Sequence, residues 1–174
     1  MGERLSGAWL VAEFFVHSYR MSGRLDVRHK KLADQLNDHT TDFLSLEDVY
    51  VSNIERPADI AVSYPSSILR KQNITAVVVA RQEDGLSREH SYGSYFGAYL
   101  RPIFITIPFF EIKGHLRLSG RVDLRTVLTT GTSGFLPILD GQMASSVRMD
   151  LEFAGAIILV NKDHIGAFWV EEGA

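Results

Sequence analysis

The chain has 174 residues, of which 45% are hydrophobic and 22% are charged, a composition typical of a globular protein with a sizeable core. Its formal net charge of -3 gives no overall attraction to nucleic acid or to anionic membranes, because such binding relies on an excess of Lys and Arg. The absence of cysteine excludes disulfides, thiolate nucleophiles and Cys-based zinc sites, and it fits a reducing cytoplasm. No uninterrupted apolar segment approaches the roughly 20 residues of a membrane helix, so we predict a cytoplasmic protein without membrane insertion.

The first element in chain order is a short apolar run at residues 8–12, which we expect to cover one edge of a sheet, because an exposed strand edge invites aggregation. After it, apolar and polar residues alternate over residues 19–28, the pattern of a half-buried strand. Gly23 falls on the inward face of that strand. The same alternation returns over residues 110–119 with Gly114 on the inward face, so the two stretches are predicted to be equivalent strands.

A short helix is predicted after each of these strands. Residues 29–37 contain two leucines four positions apart and end at Asn37, a favourable C-terminal stop for a helix. The corresponding stretch, residues 120–128, carries Asp123 where an acidic side chain stabilises the first turn of a helix. Each half of the chain is therefore expected to contain one short helix.

Two further strands follow each helix. The first lies at residues 42–52 and again at residues 134–144, and its matched residues are 92 positions apart. These matched residues are Phe43 and Phe135, Leu44 and Leu136, Leu46 and Ile138, and Asp48 and Asp140. The second strand is predicted at residues 60–69 and again, with weaker similarity, at residues 151–160.

A turn and a buried strand end each half. Gln72 and Asn73 in the first half, and Asp163 and His164 in the second, are polar turn formers that precede a run of apolar, β-branched and aromatic residues. We therefore predict a tight hairpin turn that leads into a buried strand in both places, with matched residues 91 positions apart.

These repeats predict an α+β fold that is mostly β and mostly antiparallel, built from two tandem copies of a strand-helix-strand-strand-strand module. The first module is placed at residues 12–80 and the second at residues 103–172, with a polar, glycine-rich linker at residues 81–102. A module of about 60 residues buries only about 60% of its unfolded surface and is marginal alone. The two modules are therefore expected to share one core as a pseudo-twofold unit.

Three short motifs resemble those of an uncharacterised bacterial family of small β-rich domains. Residues 31–37 (Lys-Leu-Ala-Asp-Gln-Leu-Asn) are similar to its Arg-Leu-Ser-Asp-Leu-Leu-Asn run, and residues 43–49 (Phe-Leu-Ser-Leu-Glu-Asp-Val) to its Phe-[Leu/Ile]-x-Leu-x-Asp-Val strand. Residues 160–165 (Val-Asn-Lys-Asp-His-Ile) are similar to its Val-Asn-Lys-Asp-x-Ile turn. The resemblance implies a small β-rich domain, present here as a tandem duplication, and no particular activity.

Asp48 and Asp140 are the polar pair that most needs an explanation. Each follows a predicted strand in phase with the inward residues, where a carboxylate is costly unless it is hydrogen-bonded or exposed. A bulge that shifts the phase of the strand is the favoured explanation, because Val49 and Val51 resume the alternation on the other parity. The alternative is a ligand site, or a small enzyme with paired aspartates across the pseudo-twofold axis.

The outward face of the strand at residues 19–28, with the residues just after it, forms a local basic cluster. Its members are Arg20, Arg24, Arg28, Lys30 and Lys31. One alternative function is a nucleic-acid-binding module that uses this face, with nearby tyrosines stacking on bases. The equivalent face of the second half is close to neutral, so a duplicated nucleic-acid surface is not indicated, and a solvated or salt-bridged face is favoured.

The sequence contains no recognisable catalytic motif. Its six histidines lack the spacings common in metal sites, and no Gly-x-Ser-x-Gly elbow is present, so we predict no catalytic residue, no metal and no cofactor. The residues that repeat are structural types, whereas the polar surface residues differ between the halves. This pattern favours a non-enzymatic binding or assembly protein that pairs with another protein or with itself, as a homo-oligomer formed through exposed strand edges.

Overall fold

The computed structural model describes residues 9–86, 98–119, 123–129 and 134–171. Within these residues the fold is mostly β, with one antiparallel sheet of ten strands and three short α-helices. The strands are β1 (Trp9–Val16), β2 (Tyr19–Asp26), β3 (Phe43–Asn53), β4 (Ile60–Arg70), β5 (Ile74–Val79), β6 (Ala98–Ile107), β7 (Phe110–Ser119), β8 (Phe135–Ser145), β9 (Glu152–Asn161) and β10 (Ala167–Val170). The helices are α1 (Leu32–Leu36), α2 (Gln82–Gly85) and α3 (Leu124–Thr129), with 3₁₀ helices at Lys71–Asn73 and Lys162–His164.

The order of the strands in the sheet is β10-β6-β7-β8-β9-β5-β1-β2-β3-β4. The first five strands of the chain occupy one end of the sheet and the last five occupy the other. Within each group the relative order is the same, since the fifth strand lies beside the first and the fourth lies farthest from it. The two groups meet where β5 pairs with β9, and this pairing leaves β4 and β10 at the two ends of the sheet.

The strand registers of the two groups also correspond. The inward glycine of the second strand faces the first strand at the same point in both groups, and so does the alanine of the fifth strand. The corresponding pairs are Ala12 with Gly23 and Ile103 with Gly114, then Phe15 with Ala76 and Thr106 with Ala167. Every one of these residues lies 91 positions from its counterpart, as the sequence pattern predicts.

Two clusters of buried side chains lie against the sheet, and each takes residues from both groups of strands. The first core is built mainly on the first five strands and α1, but it includes Ile157 and Leu159 of β9. The second core is built mainly on the last five strands, but it includes Phe15 of β1 and Val78 of β5. The Phe15 ring lies 5.3 Å from the ring of Phe110, centroid to centroid, in an edge-to-face contact. The two groups of strands are therefore packed together through interlocking cores.

Strand β1 corrects the prediction for the N-terminal segment. The apolar run at residues 8–12 does not cover an edge, because residues 9–12 belong to β1, which lies inside the sheet between β5 and β2. Phe14 packs in the first core and Phe15 in the second, so both faces of the strand are buried there. A strand buried on both faces has no polar alternation to mark it. The predicted strand-helix-strand-strand-strand order accordingly lacks a first strand, namely β1 in one half and β6 in the other.

The predicted hairpin turns before the last strand of each half are wrong. Gln72 and Asn73 lie in one 3₁₀ helix, and Asp163 and His164 lie in the other. These helices carry the chain between strands that are not neighbours in the sheet, so no hairpin forms. The buried strand predicted to follow the first turn is confirmed, because all six residues of β5 are buried. The strand after the second turn, β10, is present but only partly buried, because it lies at an end of the sheet.

The stretch at residues 81–102, predicted as a linker, contains α2 and the beginning of β6. Residues 87–97 of this stretch lie outside the described part of the chain. The helix predicted at residues 29–37 is confirmed as α1, and the one predicted at residues 120–128 corresponds to α3.

Candidate functional site at the sheet edges

The junction between β5 and β9 shows how the last strand of one group meets the fourth strand of the other. Four antiparallel residue pairs form it: Ala76 with Val160, Val77 with Leu159, Val78 with Ile158, and Val79 with Ile157. All eight residues are buried. Val77 and Val79 face the first core, whereas Ala76 and Val78 face the second, so each strand buries one face in the neighbouring group.

Polar contacts fix the end of this junction. The side-chain amide of Asn161 donates a hydrogen bond from Nδ2 to the carbonyl oxygen of Ile74 at 2.9 Å. The Nε2 atom of His164 lies 2.7 Å from the carbonyl oxygen of Gln72, which joins the two 3₁₀ helices. Asn161 is buried, and its hydrogen bond satisfies a polar group that would otherwise be costly there.

One open edge of the sheet is β4. In the part of the chain that the structure describes, β4 has β3 on one side and no strand on the other. Large apolar side chains stand exposed along it, with Ile68 67% exposed and Tyr64 52% exposed. Leu69 alternates with them and is buried in the first core. The edge therefore combines unpaired backbone groups with apolar surface, as expected of a site for strand addition.

The other open edge is β10, which has β6 as its strand neighbour among the described residues. Phe168 and Val170 pack on the second core, while Trp169 points to the opposite face and is 50% exposed. The Trp169 ring contacts Phe104 with 5.1 Å between centroids, which orients the indole at the edge. This edge also presents apolar surface beside unpaired backbone groups.

The two aspartates predicted as a ligand pair both lie in bulges. Asp48 has a φ of 49° and Asp140 a φ of 47°, both in the left-handed region. The register of β3 against β2 shifts at Asp48, and that of β8 against β7 shifts at Asp140. Both side chains are exposed, and Asp48 forms an ion pair with Arg24 at 2.9 Å. The bulge interpretation is confirmed, and the strands that carry the two carboxylates, β3 and β8, are not neighbours in the sheet.

The predicted basic cluster is largely paired with carboxylates. Arg20 pairs with Glu13, Arg24 with Asp48 and Glu47, Arg28 with Asp26, and Lys30 with Asp38. Hydrogen bonds from Arg28 lower the pKa of the Asp26 carboxyl to about 2. Lys31 precedes α1 at its N-terminal cap position. Paired cations have less charge to offer a phosphate backbone, so the face resembles a salt-bridged surface more than an open phosphate-binding one.

A buried lysine, Lys71, directly follows β4 and was not singled out from the sequence as a functional residue. Lys71 is 8% exposed, and its Nζ atom donates hydrogen bonds to the carbonyl oxygen of Asp38 at 2.9 Å and to Oγ1 of Thr41 at 2.7 Å. Burial lowers the pKa of Lys71, and burial lowers the pKa of Lys162 at the equivalent position. The sequence signal was the recurrence of lysine before both turns, which marks a structural position in each half.

A shallow cleft of about 360 Å³ lies beside this lysine, with Asp26, Lys30, Asp38 and Phe43 among its lining residues. Both carboxylates are ion-paired, and hydrogen bonds to their partners lower the pKa of each. A carboxylate with a lowered pKa is a weak general base near neutral pH. These two carboxylates are therefore poor candidates for a general base.

Among the described residues, no group of three or more His, Cys, Asp or Glu side chains is arranged to hold a metal ion. Nor does any helix of these residues have the length and apolar character needed to cross a membrane. No protein-family model, curated protein or solved structure matches the chain. The functional argument consequently rests on the geometry of the chain itself, in which the two open edges are the most distinctive feature.

Proposed function

We propose that the chain consists of two tandem copies of one five-strand module, and that it is a non-enzymatic assembly protein that binds a protein partner or itself through its open sheet edges. Support for the duplication comes from the shared strand order and from strand registers that recur 91 positions apart. Further support comes from a 3₁₀ helix before the last strand of each half and from a left-handed aspartate in each third strand. In this numbering of equivalent positions, β4 corresponds to β9 and β10 to β5.

The observation that carries the assembly function is the contrast between equivalent positions inside the sheet and at its ends. Ile68 on β4 is 67% exposed, whereas its equivalent Leu159 on β9 is 1% exposed. Trp169 on β10 is 50% exposed, whereas its equivalent Val78 on β5 is 7% exposed. The open edges thus carry apolar side chains at the positions that are covered at the internal junction.

Covering the exposed apolar side chains of the two edges with a partner lowers the free energy of the complex. Burying an isoleucine-sized side chain contributes about 1.5–3 kcal/mol, and a tryptophan brings a larger apolar area to the same interface. Strand addition also satisfies the unpaired N–H and C=O groups of an edge. Natural edges that stay single are usually short, charged, interrupted by proline or twisted away. β4 has 11 residues, and large apolar side chains stand exposed on both sides of its Pro65, at Tyr64 and Ile68.

The test is the mass of the purified chain in solution, measured by sedimentation over a range of concentrations. We expect the natural chain to associate and an Ile68→Asp variant to lose most of that association, because the substitution places an unpaired carboxylate in the covered edge. Val11→Asp is the matched control, because Val11 is 63% exposed but lies on β1 inside the sheet. A natural chain that remains a single 19.5 kDa species would contradict self-association. An Ile68→Asp variant that associates as strongly as the control would contradict assembly through the β4 edge.

A further inference from the structure

The strands at the two open edges, β10 and β4, are equivalent to the two strands that pair at the internal junction, β5 and β9. At the internal junction the fifth strand of one half, β5, pairs with the fourth strand of the other half, β9. The fifth strand of the second half, β10, and the fourth strand of the first half, β4, have no such neighbour among the described strands. We infer that β10 of one copy of this chain pairs antiparallel with β4 of a second copy, so that copies associate head to tail. This inference rests on the proposed assembly function and specifies its partner.

The internal junction also fixes the register of the contact between copies. Moving each residue of β5 forward by 91 positions and each residue of β9 back by 91 positions gives the corresponding residues of the two edges. The expected pairs are Ala167 with Leu69, Phe168 with Ile68, Trp169 with Ser67, and Val170 with Ser66. Each pair joins one residue from each copy, and the ladder has four pairs, as at the internal junction.

The sizes of the facing side chains are complementary in this register. At the internal junction Val78 lies opposite Ile158, two side chains of moderate size. At the contact between copies, the bulky Trp169 lies opposite the small Ser67. Ser67 of the second copy leaves space for the indole of the incoming copy. The indole then covers the first core of the second copy at its outer end, beside Leu69.

The neighbouring pair, Phe168 with Ile68, brings two large apolar side chains together on the other face of the sheet. Ile68 occupies the position of Leu159, which buries its side chain in the core of the adjoining half. In the head-to-tail contact, Ile68 therefore turns toward the second core of the incoming copy, where Phe168 and Val170 already pack. Both exposed apolar anchors become covered by one contact.

Pro65 limits the length of the pairing. Proline has no N–H to donate to a new strand, so the ladder ends at Ser66. One position beyond the proline, the internal junction has no room for a side chain. A Cβ added to Gly155 there would lie 2.7 Å from Cγ1 of Val78 and from the carbonyl oxygen of Val79. Tyr64 stands at the equivalent position of β4, so the two strands must diverge there. The four residues Ala167–Val170 of β10 match the length that remains.

A symmetric contact between two β4 edges is a poorer solution. It would pair the β4 strands of two copies with each other and leave Trp169 of both copies exposed. The head-to-tail contact covers both edges and is heterologous, so it extends into a closed ring if the rotation between copies closes, and into a filament if it does not.

A complementation experiment tests the inference directly. Ile68→Asp disables the β4 edge and leaves β10 intact, whereas Trp169→Asp disables β10 and leaves β4 intact. We expect each variant alone to sediment as a single chain and an equimolar mixture to form a species of twice that mass, with no larger species. The mixture stops at two chains because each pair retains one usable contact. Circular dichroism and unfolding curves for each variant establish that both are folded.

The outcomes separate the failure of this inference from the failure of the proposed function. If Trp169→Asp alone still associates while Ile68→Asp does not, the contact is symmetric through β4, so the head-to-tail inference is wrong and edge-mediated assembly stands. If both variants associate as the natural chain does, both proposals are wrong. If the natural chain does not associate, the head-to-tail inference is wrong, and of the proposed function only binding to a different protein stands.

A second experiment tests the register and does not depend on disabling either edge. The chain has no cysteine, so single Ser66→Cys and Val170→Cys variants each carry one thiol. Mixed and oxidised, they are expected to form a disulfide between the two chains, because these residues face each other in the predicted pair. Ser63→Cys mixed with Val170→Cys is the control, since Ser63 lies about 10 Å farther along the strand. Cross-linking that is as efficient with Ser63 as with Ser66 would refute the register.

Discussion

Asp48 and Asp140 are polar residues at positions where the strand pattern predicts inward apolar side chains, and their backbone conformation explains why. Both residues adopt positive φ at a bulge, and both point to solvent. A left-handed conformation costs most residues about 1–2 kcal/mol, but Asp and Asn tolerate it better, because their short side chains bond locally. The recurrence of aspartate at both bulges is thus explained by backbone conformation, with no need for a shared ligand.

This explanation predicts the stability of substitutions at Asp140. We expect Asp140→Gly to be more stable than Asp140→Ala by about 1 kcal/mol, because glycine adopts positive φ without a steric cost and alanine does not. Urea unfolding of the two variants measures the difference. Gln142 is the matched control, since it is exposed on the same strand without a positive φ, and there the order should reverse, with glycine less stable than alanine. Equal stability of Gly and Ala at position 140 would count against a strained bulge.

At the scale of elements, the β5–β9 pairing joins the two halves, and it leaves no room for a side chain at Gly155. A Cβ at this position would meet Val78 Cγ1 and the carbonyl oxygen of Val79, each at 2.7 Å. The carbonyl belongs to the backbone of an interior strand and cannot move without disturbing its hydrogen bonds. Gly155 is therefore required by the close approach of the two strands.

We expect Gly155→Ala to destabilise the protein by about 1–3 kcal/mol, the usual cost of overpacking a well-packed site. Gly134→Ala provides the control, because an added Cβ there would have no atom within 4 Å. Its stability should stay within about 0.5 kcal/mol of the natural chain. Thermal or urea unfolding of both variants gives the comparison. A Gly155→Ala variant as stable as Gly134→Ala would mean that β5 and β9 are less closely joined than the structure indicates.

The elements that the sequence predicts well are those whose pattern is local. β2 and β7 alternate because one face of each is buried, and α1 follows from the spacing of its leucines. β1 was missed as a strand because both of its faces are covered, by different cores, which erases the alternation. The turns after β4 and β9 were predicted as hairpins because a local sequence pattern does not reveal which strands are adjacent in the sheet.

The candidate site was harder to predict than the elements, for a similar reason. Ile68 and Leu159 are both apolar residues in equivalent strands, and only the order of strands in the sheet makes one exposed and the other buried. The sequence predicted that strand edges would matter, but it did not identify them. Their identity depends on pairings between residues that are far apart in the chain.

At the scale of the whole molecule, the interlocking cores decide whether the two halves act as one unit. Phe15 of the first half contacts both Phe110 and Phe153 of the second, with ring centroids 5.3 Å and 4.9 Å apart. Ile157 and Leu159 extend the first core in return. Neither half can unfold without exposing buried apolar surface of the other, so the free energies of unfolding of the two halves are coupled.

The two tryptophans of the chain allow this coupling to be measured, because Trp9 lies in the first half and Trp169 in the second. In the Ile68→Asp background, which removes the β4 contact between copies, Trp9→Phe leaves a fluorescence probe in the second half and Trp169→Phe leaves one in the first. We expect both probes to report the same urea midpoint, because a single cooperative transition has no populated state with one half folded. Phe15→Leu should lower both midpoints together, since it removes contacts shared by the halves. Two separate midpoints, or a Phe15→Leu effect confined to one probe, would mean that the modules fold independently and that the β5–β9 junction is a docking contact between finished domains.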